Sequence, residues 1–565
     1  IGIVIFGRPY NAFLSYANLG VPRKISSYGY PVASFDLLPF EEEPGYENMY
    51  WAWGEMILKA AEFVKEHPNL YAVYITNFSC GPDSFVLSYF KDVMKDKPAL
   101  ILELDSHTAD AGIETRIEAF FDVIKHRKEK TQSVVQYRPL NVEIGKKGVY
   151  IQRDGERISW TDKRVRLVFP TMGAFGASCL AAAIEHFGVR THVCPPIGEV
   201  EYKLGRGNSL SKECLPLQLT LGSLIRYLYE RKSQEEITLY FMPQTSGPCR
   251  FGQYNVYMKL WLRQNEITNT ALLSLNSENA YGGLGISFTL RAWIAVLISD
   301  LYSNIEKSLL ALHPDKDAAM EMIRRHEQRI IEALKDQSLS GIFKVLKEAS
   351  DELAELNLSE RYSHSPKVLL TGEIYVRWDE FSRRRLEETF ASDQIVLQIS
   401  PIHEWIYYTD YIFLKKLTSK NSTVFDRVKK RIEISVKRYF ERKVKGIFSK
   451  AGLCDTRILN VGQIVENASS YLNPRLTGEA ILTVGSTLTE IGEHYDGVIS
   501  IGPFGCMPSR IAESIIKSEL ERRKTASSKI LPFVSLEVDG NPFTPSSEAK
   551  IDSFIAQVKA AKGRI

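Results

Sequence analysis

The 565-residue chain carries no excess charge of either sign: 71 Lys and Arg stand against 68 Asp and Glu, a net of +3. Such a balance excludes the strongly basic footprint of a nucleic-acid or membrane-surface protein. No uninterrupted apolar run approaches the ~20 residues that span a bilayer. The opening IGIVIFGRPYN reads as a core strand and a turn, not as a signal peptide. Cysteine is scarce. Cys80, Cys179, Cys194, Cys214, Cys249, Cys454 and Cys506 form an odd set of seven without a CxxC pair. A disulfide scaffold, a zinc ribbon and a compact ferredoxin cluster therefore drop out, and the expected location is a reducing cytoplasm. No GxxxxGK[ST] loop is present, and GRG at 205–207 is too short to count. The first residue is not Met, so the expectation is a piece of a longer protein.

What is present is a globular composition, 44% apolar and 25% charged, which excludes a disordered or collagen-like chain. The length corresponds to roughly three to four structural units. Short β-branched runs alternate with amphipathic helical stretches, the pattern of parallel sheets with helical crossovers. The expected fold is therefore α/β, with repeated doubly wound parallel-sheet lobes and a helical insertion. The expected divisions are an α/β lobe over 1–130, a polar hairpin linker over 131–163, a second α/β lobe over 164–290, a helical segment over 291–365 and a last lobe over 366–565.

An internal repeat sharpens this reading. YAVYITNFSCGP (71–82) lines up with DGVISIGPFGCMP (496–508), each a buried strand followed by Phe-x-Cys-x-Pro and a helix. Downstream, LELD (102–105) matches LEVD (536–539), and ETRIEAF (114–120) matches EAKIDSF (548–554). The lobe openings agree more loosely, IVIFGRPYNAF (3–13) against VLLTGEIYVRW (368–378).

Ligands of open α/β sheets gather beyond the carboxyl ends of the strands. Cys80, Cys249 and Cys506 stand there, and Cys214 precedes an apolar helix beside a proline. Gly and Pro around each thiol allow close backbone approach, and a helix N-terminus is expected to lower a thiol pKa. Cys214, Cys249 and Cys506 are the candidate metal ligands, with Cys80 a fourth that has no co-ligand ahead of it. Cys179, Cys194 and Cys454 read as packing residues. Three thiolates without an accompanying histidine suit an iron–sulfur cluster better than zinc.

GRPYNAF with NLGVPRKISSYGYPV, then SFDLLPF, TNFSCGPDSF and LELDSHTADAGIETRIEAF, resemble the 2-hydroxyacyl-CoA dehydratase component family. They are similar more closely to the large acyl-CoA dehydratase activase-related proteins. Residues 1–130 resemble the last lobe of one dehydratase-like domain, and about 160–565 a second, complete one. The resemblance implies a [4Fe–4S] cluster on three cysteines, or a double-cubane cluster, in a site between lobes. It implies low-potential electrons supplied by an ATP-dependent activase, fused upstream or separate, with ATP acting only there. The implied activity is dehydration of a 2-hydroxyacyl-CoA, a lyase reaction, or ATP-coupled reduction of a small molecule in anaerobic metabolism. Rival expectations are a non-catalytic two-lobed binding or assembly subunit without its own cluster, and a metal-free acyl-CoA-binding enzyme using carboxylates alone. A homo-oligomer is left open.

Other features carry two readings each. SENAYGGLG (277–285) is a turn or a ligand-approaching loop. RVKKRIEISVKRYFERKVKG (427–446) is a solvated basic helix or a dock for an acidic partner such as the activase. His107 is a loop histidine or a proton donor. Glu103, Asp105, Glu537 and Asp539, at equivalent strand ends, read as anchors of the loops that follow.

Overall fold

The computed structural model describes residues 1–78, 80–126, 137–145, 148–245, 247–275, 285–417, 423–527 and 529–563. The chain forms two compact units. One comprises 1–138, 207–213 and 244–268; the other comprises 139–206, 214–243 and 269–565.

The first unit holds one parallel sheet of β1 (Gly2–Phe6), β2 (Val32–Ser34), β3 (Leu70–Thr76) and β4 (Ala99–Glu103), in the order β2-β1-β3-β4. β-Branched and aromatic residues bury both faces of β3, so it reads as a continuous apolar run, as central parallel strands do. The helices Ala52–Glu66, Asp83–Val93 and Asp110–Lys125 supply the crossovers.

The second unit begins with β5 (Asn141–Gly145), β6 (Gly148–Arg153) and β7 (Glu156–Ser159), an antiparallel sheet where the sequence predicts a polar hairpin. This sheet is not polar on both sides. Val149, Ile151, Ile158 and Trp160 are buried against the core of the next sheet, because period-two alternation puts all four on one face. That next sheet is β8 (Val165–Phe169), β9 (Thr191–Val193), β10 (Ile237–Phe241) and β11 (Thr270–Leu273), ordered β9-β8-β10-β11. The last is β12 (Lys367–Gly372), β13 (Val396–Ile399), β14 (Gly497–Pro503) and β15 (Phe533–Val538), ordered β13-β12-β14-β15. All three sheets are parallel with one topology: the second strand outside the first, then the third and fourth. The chain is thus an α/β protein of three parallel lobes. The sequence matched only the first and last of them.

Glycines explain why those two were recognisable. Gly7 and Gly372 end β1 and β12 with φ +139° and +105°. A Cβ on Gly7 would lie 2.2 Å from the Ile75 carbonyl oxygen, and one on Gly372 2.1 Å from that of Ile501. At both places the first strand closes against the third so tightly that no side chain fits.

The helices Ile286–Leu312, Lys316–Asp336 and Leu339–Ala354 lie between the second and third lobes. Ile286–Leu312 is the one described helix with the length and apolar composition to cross a membrane, and 56% of its most apolar window is buried within the protein. Arg291 and Asp300 interrupt it and are themselves buried.

Two predictions arise from this packing. The helix Leu215–Glu230 crosses Glu199–Gly207 at contact distance, since a Cβ on Gly222 would stand 1.8 Å from the Glu201 carbonyl oxygen. The obstacle is backbone and cannot rotate away, so Gly222→Ala is expected to lower the unfolding free energy by about 2–3 kcal/mol in urea titrations. Glu327 is half-buried near Glu306, and its carboxyl is pushed up to about 7, by burial first and the Glu306 charge second. A proton held more tightly folded than unfolded gives stability that is full below the ordinary Glu range and is lost as pH rises towards about 7. Glu327→Gln is therefore expected to stabilise the protein by on the order of 1–3 kcal/mol at pH ~8.5 and by almost nothing at pH ~4. Urea unfolding at the two pH values checks this.

Candidate functional site

In all three parallel sheets the strand order reverses between the first and third strands, and in the first and last lobes a cysteine follows the third strand there. Cys80 follows β3 and Cys506 follows β14; Cys249 follows β10 in the sequence but belongs to the first unit, whereas β10 belongs to the second. Loops at such a point project from neighbouring strands and leave a crevice at the sheet edge.

In the first lobe, Phe78 is exposed and Cys80 is buried, so Phe-x-Cys-x-Pro turns the aromatic out and the thiol in. Tyr10, in the short helix Pro9–Ala12 after β1, brings its hydroxyl to 3.2 Å from Cys80 Sγ across the crevice. Asp83, three residues beyond Cys80, accepts from Tyr74 Oη (3.1 Å) and Thr76 Oγ1 (2.5 Å) and is 1% exposed. The Cys80 thiol is pushed up to about 11, by burial first and the Asp83 charge second. Asn77 Nδ2 donates to Asn11 Oδ1 at 2.6 Å. Among the described residues, Asn11 Nδ2 and Arg8 Nε and Nη1 are buried without a hydrogen-bond partner.

Cys249 belongs to the same unit and is half-buried just before the 3-10 turn Arg250–Gln253. Its loop is fixed by donors from the first lobe: Trp51 Nε1 to Pro248 O at 3.1 Å, and Asn48 Nδ2 to Thr245 O at 3.0 Å. Arg250 Nη1 lies 3.4 Å from both Ser84 Oγ and Lys212 O. A Cβ on Gly81 would stand 3.9 Å from Arg250 Cδ. The loops of Cys80 and Cys249 are therefore neighbours.

The second unit holds Cys214 and Cys506. Cys214 is the N-cap residue of Leu215–Glu230, 6% exposed, with Pro216 in the first turn. Leu215 and Leu219 pack into the core of the third lobe with Ile499 and Ile501 of β14. Phe504 and Cys506 repeat the first lobe, with the ring exposed and the thiol buried. Cys506 is pushed up to about 12, by burial first, with the charges of Glu479 and Cys214 adding to it. The two thiols thus feel one another electrostatically.

The expectation that helix N-termini lower these thiol pKa values is overturned for Cys80 and Cys506. Burial and nearby carboxylates outweigh the N-terminal amides, since removal from water penalises the thiolate directly. Each unit contributes two of the four candidate cysteines. Among the described residues, no group of three or more His, Cys, Asp or Glu side chains able to hold a metal ion forms. The donors suit an iron–sulfur cluster in kind, and neither unit by itself provides three of them. Cys179, Cys194 and Cys454 are buried; Cys179 and Cys454 belong to the main apolar core, and no disulfide joins any of the seven.

The acidic strand ends anchor loops. Asp105 Oδ1 accepts from His107 N (2.9 Å) and Thr108 Oγ1 (2.7 Å), and Asp539 accepts from Asn541 N (3.0 Å) and Nδ2 (2.9 Å). Glu103 pairs with Lys212 and Glu537 with Arg510. The Gly-rich stretch 277–285 lies, but for Gly285, outside the described residues.

Two polar groupings of the third lobe had no sequence signal. Arg377, Glu404 and Glu479 are buried, with Glu373, half-buried, within electrostatic reach; Arg377 Nη2 lies 3.4 Å from Glu404 Oε2. Burial holds all three carboxyls above the ordinary Glu range. Nearby, a cavity of about 410 Å³ is lined by His403, whose Nδ1 lies 2.7 Å from Asp300 Oδ2 and whose Nε2 lies 3.7 Å from Glu441 Oε1. No protein-family model matches the chain, and no curated protein matches its sequence.

Proposed function

We propose that the chain is an iron–sulfur protein of the 2-hydroxyacyl-CoA dehydratase type. It would take low-potential electrons from an ATP-dependent activase, for reductive or radical chemistry on an acyl-CoA or a small molecule. One observation supports this reading: in the first and last lobes a buried cysteine follows the third strand at the reversal of strand order, with an exposed Phe two residues before it. A repeated fold retains packing residues at many positions, whereas a thiol in the same loop of both lobes is what a shared chemistry would require.

Cys214, Cys249 and Cys506 would hold a [4Fe–4S] or double-cubane cluster, with Cys80 as the fourth candidate thiolate. Such a cluster supplies single electrons at low potential. Around it, this chain's residues would set the surroundings. The Tyr10 hydroxyl, 3.2 Å from Cys80 Sγ, is placed to donate to a thiolate sulfur. Phe78 and Phe504 stand exposed two residues before Cys80 and Cys506.

A second reading is a binding or assembly subunit of such a complex, without a cluster of its own. The distribution of the four candidate cysteines, two in each unit, favours it.

Anaerobic purification followed by iron and sulfide analysis and EPR separates the two. Acid-labile sulfide with a reducible cluster signal is the expected result, and a colourless, iron-free, folded protein would leave the second reading standing. Added activase with a 2-hydroxyacyl-CoA then distinguishes dehydration from small-molecule reduction.

A further inference from the structure

The helix Val424–Phe448 has two apolar faces, and only one is used. Lys437, Glu441, Val444 and Phe448 are buried against the rest of the second unit. On the opposite side, Phe425 is 76% exposed, Val428 47%, Ile432 62%, Val436 43% and Tyr439 58%. At 100° per residue these five fall within one narrow stripe about four turns long, on the side of the helix turned away from the buried face. Scattered exposed apolar side chains are ordinary, whereas a continuous stripe is the mark of a contact surface.

The charges beside the stripe are unbalanced. Lys430, Lys437 and Lys445, turned towards the core, all find carboxylates: Asp410, Glu433 and Glu441. Arg431, Arg438 and Arg442 run along one edge of the stripe and Lys429 along the other; all four are exposed, and among the described residues none is in an ion pair within 4 Å. The helix neutralises itself inward and leaves cations outward.

We propose that this face docks a partner protein through an amphipathic helix whose apolar stripe is flanked by carboxylates. The apolar side chains would interdigitate with Phe425, Ile432 and Val436. A row of Asp or Glu at helical spacing would meet Arg431, Arg438 and Arg442, whose planar guanidinium groups bind carboxylates bidentately. The arginines repeat at i, i+7 and i+11 on one edge, a fixed register that a second helix reproduces and a fluid anionic bilayer has no means to match. A second copy of this same face is disfavoured, because it would bring like charges together. The inference does not depend on the cluster.

The test uses the full chain and two fluorescein-labelled synthetic helices of about 20 residues with leucines at i, i+3/i+4 spacing, one flanked by glutamates and its twin by lysines. Fluorescence anisotropy is expected to detect binding of the glutamate peptide alone, weakening as salt rises. Ile432→Asp and Arg438→Glu should each weaken it by about tenfold or more. Both positions are exposed, so circular dichroism and melting should be unchanged. Equal binding of the two peptides, binding of neither, or affinity untouched by Ile432→Asp would overturn the proposal. So would association with phosphatidylserine vesicles in the absence of peptide binding, which would assign the face to a membrane.

Discussion

Cys506→Ala is expected to reduce the iron of anaerobically purified or reconstituted protein from about four atoms per chain to a small fraction of that, and to abolish the cluster's EPR signal. Cys214→Ala and Cys249→Ala should do the same. Cys454→Ala, which removes a buried sulfur from the main apolar core, should leave the iron content intact. The reasoning is one of valence. An iron held by a thiolate cannot exchange that ligand for a methyl group, and no histidine or further carboxylate stands by in a metal-binding group among the described residues. Cys80→Ala separates the two cluster types. A single cubane on three cysteines would survive it with unchanged iron, whereas a double cubane drawing on all four would lose a large share. Full iron in both Cys506→Ala and Cys214→Ala would refute the ligand assignment, since those two thiols lie within electrostatic reach of one another. Tyr10→Phe offers a gentler check. It removes the hydroxyl that lies 3.2 Å from Cys80 Sγ while keeping the ring. If Cys80 is a ligand, the loss of a hydrogen bond to its sulfur should lower the cluster's reduction potential while iron content stays constant.

The sequence made the first and last lobes legible because their repeat is enforced by sterics. Gly7 and Gly372 admit no side chain, and each Phe-x-Cys-x-Pro must turn a ring out and a thiol in within five residues. Such constraints leave the same letters in the same order. The middle lobe has the same topology with different letters: β8 runs into Pro170 and Thr171, and a longer loop separates β10 from Cys249. Its strand order follows from hydrogen bonding between strands distant in sequence, which no local pattern records. The loop cysteines were likewise readable one at a time, since Cys80, Cys249 and Cys506 stand beside Gly or Pro past a strand and Cys214 stands before an apolar helix with Pro216 in its first turn. Their pairing was not, because Cys214 is set against β14 through Leu215 and Leu219, far from it in sequence. The thiol pKa values ran opposite to expectation for a related reason. Helix position is local and visible in sequence, whereas burial beside Asp83 or Glu479 is a property of the packed core. The basic helix Val424–Phe448 was legible as amphipathic, but its periodicity alone could not say that a second apolar stripe stays uncovered.

Arg377→Met should destabilise the protein by about 3–5 kcal/mol, among the largest effects any single substitution here can have, because it strips a buried cation from among buried carboxyls. Arg377 is 1% exposed and Glu404 2%. Its Nη1 donates to Gly372 O at 3.0 Å and its Nη2 to Pro401 O at 3.3 Å, tying the ends of β12 and β13. Glu404 also accepts from Ser486 Oγ at 2.6 Å. With Arg377 gone, both carbonyls lose its guanidinium at every pH, Pro401 O keeping only the Glu404 N–H at 3.4 Å, and Glu373, Glu404 and Glu479 lose the positive charge that draws each of them down. All three already sit above the ordinary Glu range through burial. The variant should raise them further, so the folded state would have to take up protons from a neutral solution. The sign follows: a carboxyl whose folded pKa is raised loses stability as pH rises, so the penalty should deepen from pH ~5 to pH ~8. At acid pH the part that remains is the loss of the two guanidinium hydrogen bonds to Gly372 O and Pro401 O. The double variant Arg377→Met/Glu404→Gln should recover part of the loss, giving a double-mutant coupling of about 1–3 kcal/mol, because the uncompensated charge leaves together with its partner. Urea unfolding of the four proteins at two pH values measures every term. A loss below about 1 kcal/mol for Arg377→Met, or a coupling near zero, would mean that water or relaxation compensates the cluster and that Arg377 does not hold the ends of β12 and β13 together.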